Sequence, residues 1–320
     1  MRVTEGMNFD SSRATIGQSR AKMNRLQEQA ATTKRLLAPS DDPIAASKVL
    51  AIRTDKVNNE QFMMNARLAE SFLENSESAL SEISDLLVRA KEIALGQSSG
   101  ASANPQTRLA VAEEVTQLYQ QAVAAANRRI GDRYLFGGYK TTQAPFDLEG
   151  RYRGDDGQMM VEITKDVYLG MNVPGIDAFN TRPETAKKMS TGDSGSFRSP
   201  AGEGGPVVQN VNLFEELQAL KGSLLSGDDA GIRATLEGFD DLHAKITSTR
   251  ALLGSRMQGV SMATQSLERQ NVTGAALSST LEDADMAQVM SDLAREETVF
   301  RGALATSQKL IQPTLLDFLK

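Results

Sequence analysis

Two stretches at opposite ends of the chain carry apolar residues every seven positions. Near the start, Phe9, Ile16, Met23, Ala30 and Leu37 recur at that spacing. Near the end, Met286, Leu293 and Phe300 form one row, and Met290, Leu304, Ile311 and Phe318 form a second, interrupted only by Glu297. Such recurrence predicts helices with narrow seams of coiled-coil type. A seam that thin buries little unless another helix covers it. The pattern therefore predicts that the two ends pair, within one chain or between copies. It marks Phe9, Ile16, Met23, Leu37, Met286, Met290, Leu293, Phe300, Leu304, Ile311 and Phe318 as a candidate assembly interface.

Between the ends the pattern predicts two long helices. Ile44 to Leu95 contains neither Gly nor Pro. Its later part alternates three and four residues through Ala66, Ala69, Leu73, Ser76, Leu80, Ile83, Leu87, Ala90 and Ala94, a helical face with small residues that permit close approach. Pro39-Ser40-Asp41-Asp42-Pro43 separates this helix from the first. Ser40 or Asp42 can cap it, with Pro43 at its first position. Asn104-Pro105 restarts a helix by the same device and predicts one to about Ile130. Helix returns at Leu213 to Leu225, and again from about Asp229 to Leu281. The seam of that last helix reads Ile232, Leu236, Phe239, His243, Ile246, Leu253, Met257, Val260, Leu267 and Leu281, with Arg250, Thr264, Asn271, Gly274 and Ser278 at weak positions and several glycines interrupting it. Two helices of matching length suit antiparallel members of one bundle.

The period changes from helical to alternating after Ile130. Residues 131–205 hold 13 of the 25 glycines, which is why helix is not expected there. Asp155-Asp156-Gly157 is a hairpin-turn signal. Met159, Val161 and Ile163 alternate with Met160, Glu162 and Thr164. After Lys165-Asp166, Val167, Leu169, Met171 and Val173 alternate with Tyr168, Gly170 and Asn172. The expected fold class is mainly α: a long-helix bundle with coiled-coil terminal helices and a small inserted antiparallel β domain. Its expected parts are terminal segments 1–43 and 282–320, a helical bundle of 44–140 and 207–281, and a β-rich outer insertion of 141–206. An insertion of that kind is expected to be dispensable, so that a linker in place of 150–203 leaves the bundle intact.

Composition and charge sharpen this picture. Aromatics are 5% of the 320 residues and tryptophan is absent, a profile that suits Ala/Leu/Ile/Met seams rather than a large β-sandwich. The net charge of −6 argues against a nucleic-acid partner, which wants a basic stripe. The ends differ: residues 11–38 sum to +5 and residues 281–300 to −5, which favours their pairing. Without cysteine there is no disulfide, thiolate metal site or cysteine nucleophile. No apolar run suits a membrane span or a secretory signal, so export would use a route without a cleaved signal.

Candidate chemistry is sparse. The one histidine, His243, falls on a predicted seam with no nucleophile or ligand spaced near it, and is read as packed. Gly137-Gly138 lacks the spacing of a phosphate loop. Glu282, Asp283 and Asp285 lack the glycine and distal glutamate of a calcium loop and read as a charged helix face. No catalytic, cofactor-binding or metal-ligating set is expected, and no enzyme.

Four stretches carry a resemblance: MRVTEGM at the start, PSDDPIAASKVLAIR at 39–53, RYLFGGYKTTQAPF at 133–146, and LEDADMAQVMSDLAREETVFRGALATSQKLIQPTLLDFLK at 281–320. With them the chain resembles the bacterial flagellin family, and within it the members that join hook to filament. The likeness covers nearly the whole chain, most weakly 147–230. It implies a secreted structural subunit of the extracellular flagellum. Terminal segments would form an inner tube, long helices an outer layer, and the insertion would project outward. The implied partners are copies of itself in a ring, the neighbouring junction protein, flagellin subunits, and, in the cytoplasm before export, a chaperone and the flagellar type III apparatus. A filament subunit is the alternative, although those usually carry a lysine-containing Asp-Asp-Ala box where Ser40-Asp41-Asp42-Pro43 stands here. An intracellular coiled-coil scaffold would explain the seams but not Tyr134 to Phe146.

Overall fold

The structure is a computed structural model that describes residues 5–98, 104–181 and 211–317, with the side chains of 5, 6, 8, 9 and 309–317 outside the description. The elements run α1 (Glu5–Thr32), α2 (Pro43–Ser98), α3 (Pro105–Ala126), β1 (Arg129–Ile130), β2 (Arg133–Tyr134), β3 (Met160–Thr164), β4 (Val167–Gly170), α4 (Gly175–Phe179), α5 (Leu213–Ser226), α6 (Asp229–Glu282) and α7 (Met286–Asp317). The fold is mainly α, with two small two-stranded antiparallel sheets, β1–β2 and β3–β4.

The chain divides into two compact units. A terminal unit comprises residues 1–60 and 268–320, and a central unit 61–267. Composition placed its divisions elsewhere, at the turn after Asp42 and at the edges of the glycine-rich stretch. The compact units instead divide inside α2 and α6.

In the central unit the α2 face read from the sequence is buried throughout, from Ala66 to Ala94. The α6 face includes Ile232, Phe239, Ile246, Leu253 and Val260. It departs from the expected seam at one place. Leu242 is buried where His243 was expected, and His243 is exposed, with Nδ1 3.5 Å from Ser84 Oγ. A buried residue can fall three or four positions after the last one, and here Phe239 is followed at three. Asn104 caps α3 by accepting from the Gln106 amide, with Pro105 next. That helix stops at Ala126 rather than Ile130, because Arg129 and Ile130 pair with Tyr134 and Arg133.

The glycine-rich segment is not an appendage. Leu135, Phe136, Phe146, Ile163, Met171, Val173 and Phe179 belong to the same buried cluster as the helices. Phe179 sits edge-on to Phe136 and Phe146 at 5.1 and 5.4 Å, and Phe146 lies 4.9 Å from Phe214 of α5. The expected separable insertion is therefore corrected: its large side chains supply core. The β3–β4 hairpin turns at Lys165-Asp166 as read, with Asp166 at φ 62°. Asp155-Asp156-Gly157 does not make a hairpin. Asp155 Oδ1 accepts from the Tyr139 and Gly157 amides and lies over Gly138, whose φ of 70° and close approach to Asp155 leave no room for a Cβ. Leu-Phe-Gly-Gly thus combines two core anchors with a backbone crossing only glycine fits.

Glu216 on α5 lies over Gly238 of α6, where a Cβ would sit 2.5 Å from its carboxyl carbon. Burial, with Glu215 beside it, raises its pKa above the ordinary value. The folded protein then takes up this proton at a higher pH than the unfolded chain, so stability from this group grows as pH falls through the raised value and is absent at neutral pH. Glu216→Gln is expected to raise the melting temperature at pH 7, and the gain should shrink as pH falls through the carboxyl range in thermal scans.

Candidate assembly surface

The terminal unit is built on α1 lying along α7 within one chain, the most extensive pairing of elements. Thr33 accepts from the Ala284 amide at 3.0 Å, and Ser19 Oγ donates to Glu296 Oε1 at 2.6 Å. These two bonds fix an antiparallel register in which Met23 is level with Leu293 and Ile16 with Phe300. All four are partly buried, as is Met286.

The second C-terminal row behaves differently. Met290 is 55% and Leu304 39% exposed. The positions three residues after the first row are instead Val289, which is buried, and Glu296 and Ala303, which are partly buried, while Ser307 continues the first row and is partly buried too. Helical geometry allows either row to complete the seam, at three or at four residues. The i+3 row does so here, and its polar member Glu296 accepts from Ser19 of α1. Leu37 is partly buried in the turn after α1. The side chains of Phe9, Ile311 and Phe318 lie outside the described residues.

The opposite charges of the two ends meet at the turns rather than along the helices. Glu282, at the end of α6, is buried. Its Oε2 takes Lys34 Nζ at 2.7 Å, its Oε1 takes the Arg53 guanidinium, and its carbonyl accepts from the Arg35 amide at 2.7 Å. Glu282 is thus not a solvated helix face as its sequence neighbourhood suggested. Thr33 adopts φ 58°, a left-handed conformation rare for a β-branched residue. Asp42 Oδ1 accepts from the Ala45 amide and so caps α2, leaving Ser40 uninvolved in that cap. Asp41 accepts from the Ala38 and Leu37 amides, and those bonds, with Arg25 at 2.7 Å, hold its carboxyl below the usual range. The Ser-Asp-Asp-Pro box is therefore one carboxylate that closes the turn and one that starts the next helix. No ion pair joins α1 to α7 among the described residues, and Arg13, Arg20 and Lys22 are exposed.

The terminal unit has almost no core of its own. Among its described residues the buried apolar side chains are Ala45, Val49 and Val289. Against these it exposes Met7, Ile44, Leu50, Val57, Val272, Leu277, Met290, Val299 and Leu304. In the 43–60 and 268–282 parts of α2 and α6, the seam holds an Asn59–Asn271 hydrogen bond and Gly274 against Ile52, so it too is thin.

No group of three or more His, Cys, Asp or Glu positioned for a metal occurs among the described residues, and no described helix is long and apolar enough to cross a membrane. His243 borders an open groove of about 330 Å³ with Leu87, Val88, Leu95 and Phe239, beside the Lys91–Asp240 ion pair.

The profile of the bacterial flagellin N-terminal helical region matches residues 5–141, and that of the flagellin C-terminal helical region matches residues 236–319. The chain belongs to the bacterial flagellin family. Within that family it is 26% identical over 318 residues to flagellar hook-associated protein 3 of Salmonella typhimurium, covering 96% of each chain. It is 31% identical over 174 residues to flagellar hook-associated protein 3 of Escherichia coli, covering 53% of this chain and 55% of that one. The solved flagellar junction protein FlgL of Legionella pneumophila shares the fold, with a TM-score of 0.57 at 18% identity over 74% of this chain and 100% of that one. Flagellin-type members are structural parts of the flagellum, and the paired terminal helices of this chain lie within the regions the two family profiles cover.

Sequence reasoning missed Glu282, Thr33 and Arg53 as a connected group. The available signal was the charge contrast itself: an acid just before one turn and two cations just after the other.

Proposed function

We infer that this chain is a structural subunit of the bacterial flagellum that joins hook to filament and assembles through its terminal helices. The observation that carries the reading is the imbalance of the terminal unit, which exposes far more large apolar surface than it buries. Apolar rows of that extent mark interaction surfaces. The outward row of Met290 and Leu304, continued in sequence by Ile311 and Phe318, is the proposed contact with neighbouring copies. Ile16, Met23, Met286, Leu293 and Phe300 act indirectly, by holding α1 and α7 together, and Phe9 and Leu37 are proposed for the same interface from their place in the seven-residue row.

The proposed partners are copies of this chain in a ring, the neighbouring hook-associated junction protein on one side, and flagellin subunits on the other. Before export the chain resides in the cytoplasm, held by a chaperone and delivered by the flagellar type III apparatus; afterwards it is extracellular. Its role is structural and not enzymatic. Ser40-Asp41-Asp42-Pro43, in place of the filament-type box, favours the junction over the filament.

Removing the chain from its bacterium tests this. The expected result is cells with hooks, short of filaments, that release unassembled flagellin into the medium, corrected when the chain is restored. Normal filaments in its absence would exclude the junction role.

A further inference from the structure

We propose that Glu282 and Thr33 form a latch that fixes the direction in which the α1–α7 pair leaves the 43–60 and 268–282 segments, making both positioning residues for assembly. This rests on the assembly reading above but concerns the free subunit. Two costs meet at one place. Glu282 is buried and charged, with its carboxylate shared between Lys34 of the first turn and Arg53 of α2. Thr33 holds a left-handed backbone that a β-branched residue disfavours. Neither cost is needed to form the helices themselves, since α1 has ended at Thr32 and α6 ends at Glu282.

What offsets them is a set of bonds that exist only when the two turns touch. Lys34 and Asp283 form an antiparallel bridge, the Arg35 amide donates to the Glu282 carbonyl, the Ala284 amide donates to Thr33, and Arg35 NH2 donates to the Leu281 carbonyl at 2.9 Å. Opening the turns breaks the Lys34 and Arg53 pairs as it returns Glu282 to water and relieves Thr33, so the closed form is favoured by a margin small enough for single changes to remove. Small changes at either residue then bias the position of the terminal pair. The thin seams of this unit add little that would hold the angle otherwise.

Thr33 gives the test its direction. Glycine adopts positive φ without penalty, so Thr33→Gly should favour the closed latch, whereas Glu282→Gln removes the charge that Lys34 and Arg53 hold. A role confined to helix ending predicts no such opposition.

The 320-residue chain has no cysteine, so Gln27→Cys with Asn58→Cys, both at exposed positions, accepts a spin-label pair without background. Double electron–electron resonance on the free subunit should give one narrow distance. Glu282→Gln should lower the closed-to-open ratio about tenfold and add a second, broad population. Adding Thr33→Gly should restore the narrow one. Lys34→Met serves as an independent opening variant, and circular dichroism checks that the central unit stays folded. A broad distribution in the parent, or an unchanged one in both Glu282→Gln and Lys34→Met, overturns the latch and leaves the assembly reading standing. Restored assembly in the Glu282→Gln/Thr33→Gly double variant, against poor assembly of Glu282→Gln alone, supports the positioning role; equal assembly of the two variants overturns it.

Discussion

Leu304→Asp should abolish assembly while leaving the free subunit folded. Leu304 is 39% exposed, so an aspartate there reaches water in the isolated chain. The cost within the subunit is a helix-propensity difference of about 0.5 kcal/mol plus about 1 kcal/mol for the part of Leu304 already covered. In an assembled ring the same side chain lies in the proposed contact. Burying one unpaired charge costs several kcal/mol, and the part of the leucine still exposed in the free subunit forfeits roughly a further 1 kcal/mol of apolar burial. That penalty recurs in every subunit. Cells carrying the variant should build hooks and release flagellin. Leu293→Asp is the contrasting case: Leu293 lies level with Met23 in the α1–α7 seam, so it should separate the terminal helices in the monomer and lower helical content. Assembly unaffected by Leu304→Asp would remove the outward row from the contact surface.

The second large effect concerns the glycine-rich segment. Replacing 150–203 with a flexible linker should destroy the cooperative unfolding of the central unit. The cut removes Ile163, Met171, Val173 and Phe179, all buried in the shared cluster, and takes from Phe136, Phe146 and Phe214 the ring of Phe179 that touches all three. A single Phe179→Ala should already cost about 3–5 kcal/mol, close to 10 °C in melting temperature for a unit of this size. Calorimetry of both variants checks this; a deletion variant that melts as sharply as the parent would restore the picture of a separable outer domain.

These expectations mark where the sequence was legible. The long helices were, because a three-four apolar period runs through most of their length: the α2 face from Ala66 to Ala94 is buried residue by residue, and Pro43 and Asn104-Pro105 start helices where read. The α1–α7 pairing was legible from the seven-residue rows, and the β3–β4 hairpin from its alternation. Which of two adjacent rows faces inward was not. Met290 and Val289 are equally apolar, and the outcome turned on a polar pair, Ser19 with Glu296, that a search for apolar recurrence passes over. His243 and Leu242 were confused for the same geometric reason. The place of the glycine-rich segment was hidden because its core residues are scattered aromatics whose partners, such as Phe214, lie far along the chain. The Glu282 cluster was hidden because a buried carboxylate and a solvated one look alike until the cations, here Lys34 and Arg53, are placed in space.

The central claim is that this chain is a fixed-copy junction subunit rather than a repeating filament subunit. Quantitative mass spectrometry of sheared flagella, sorted by filament length, tests it directly. The account predicts a low copy number per flagellum that stays constant as filaments lengthen and flagellin rises. A copy number that grows in proportion to filament length, or absence of the chain from sheared flagella, would contradict it.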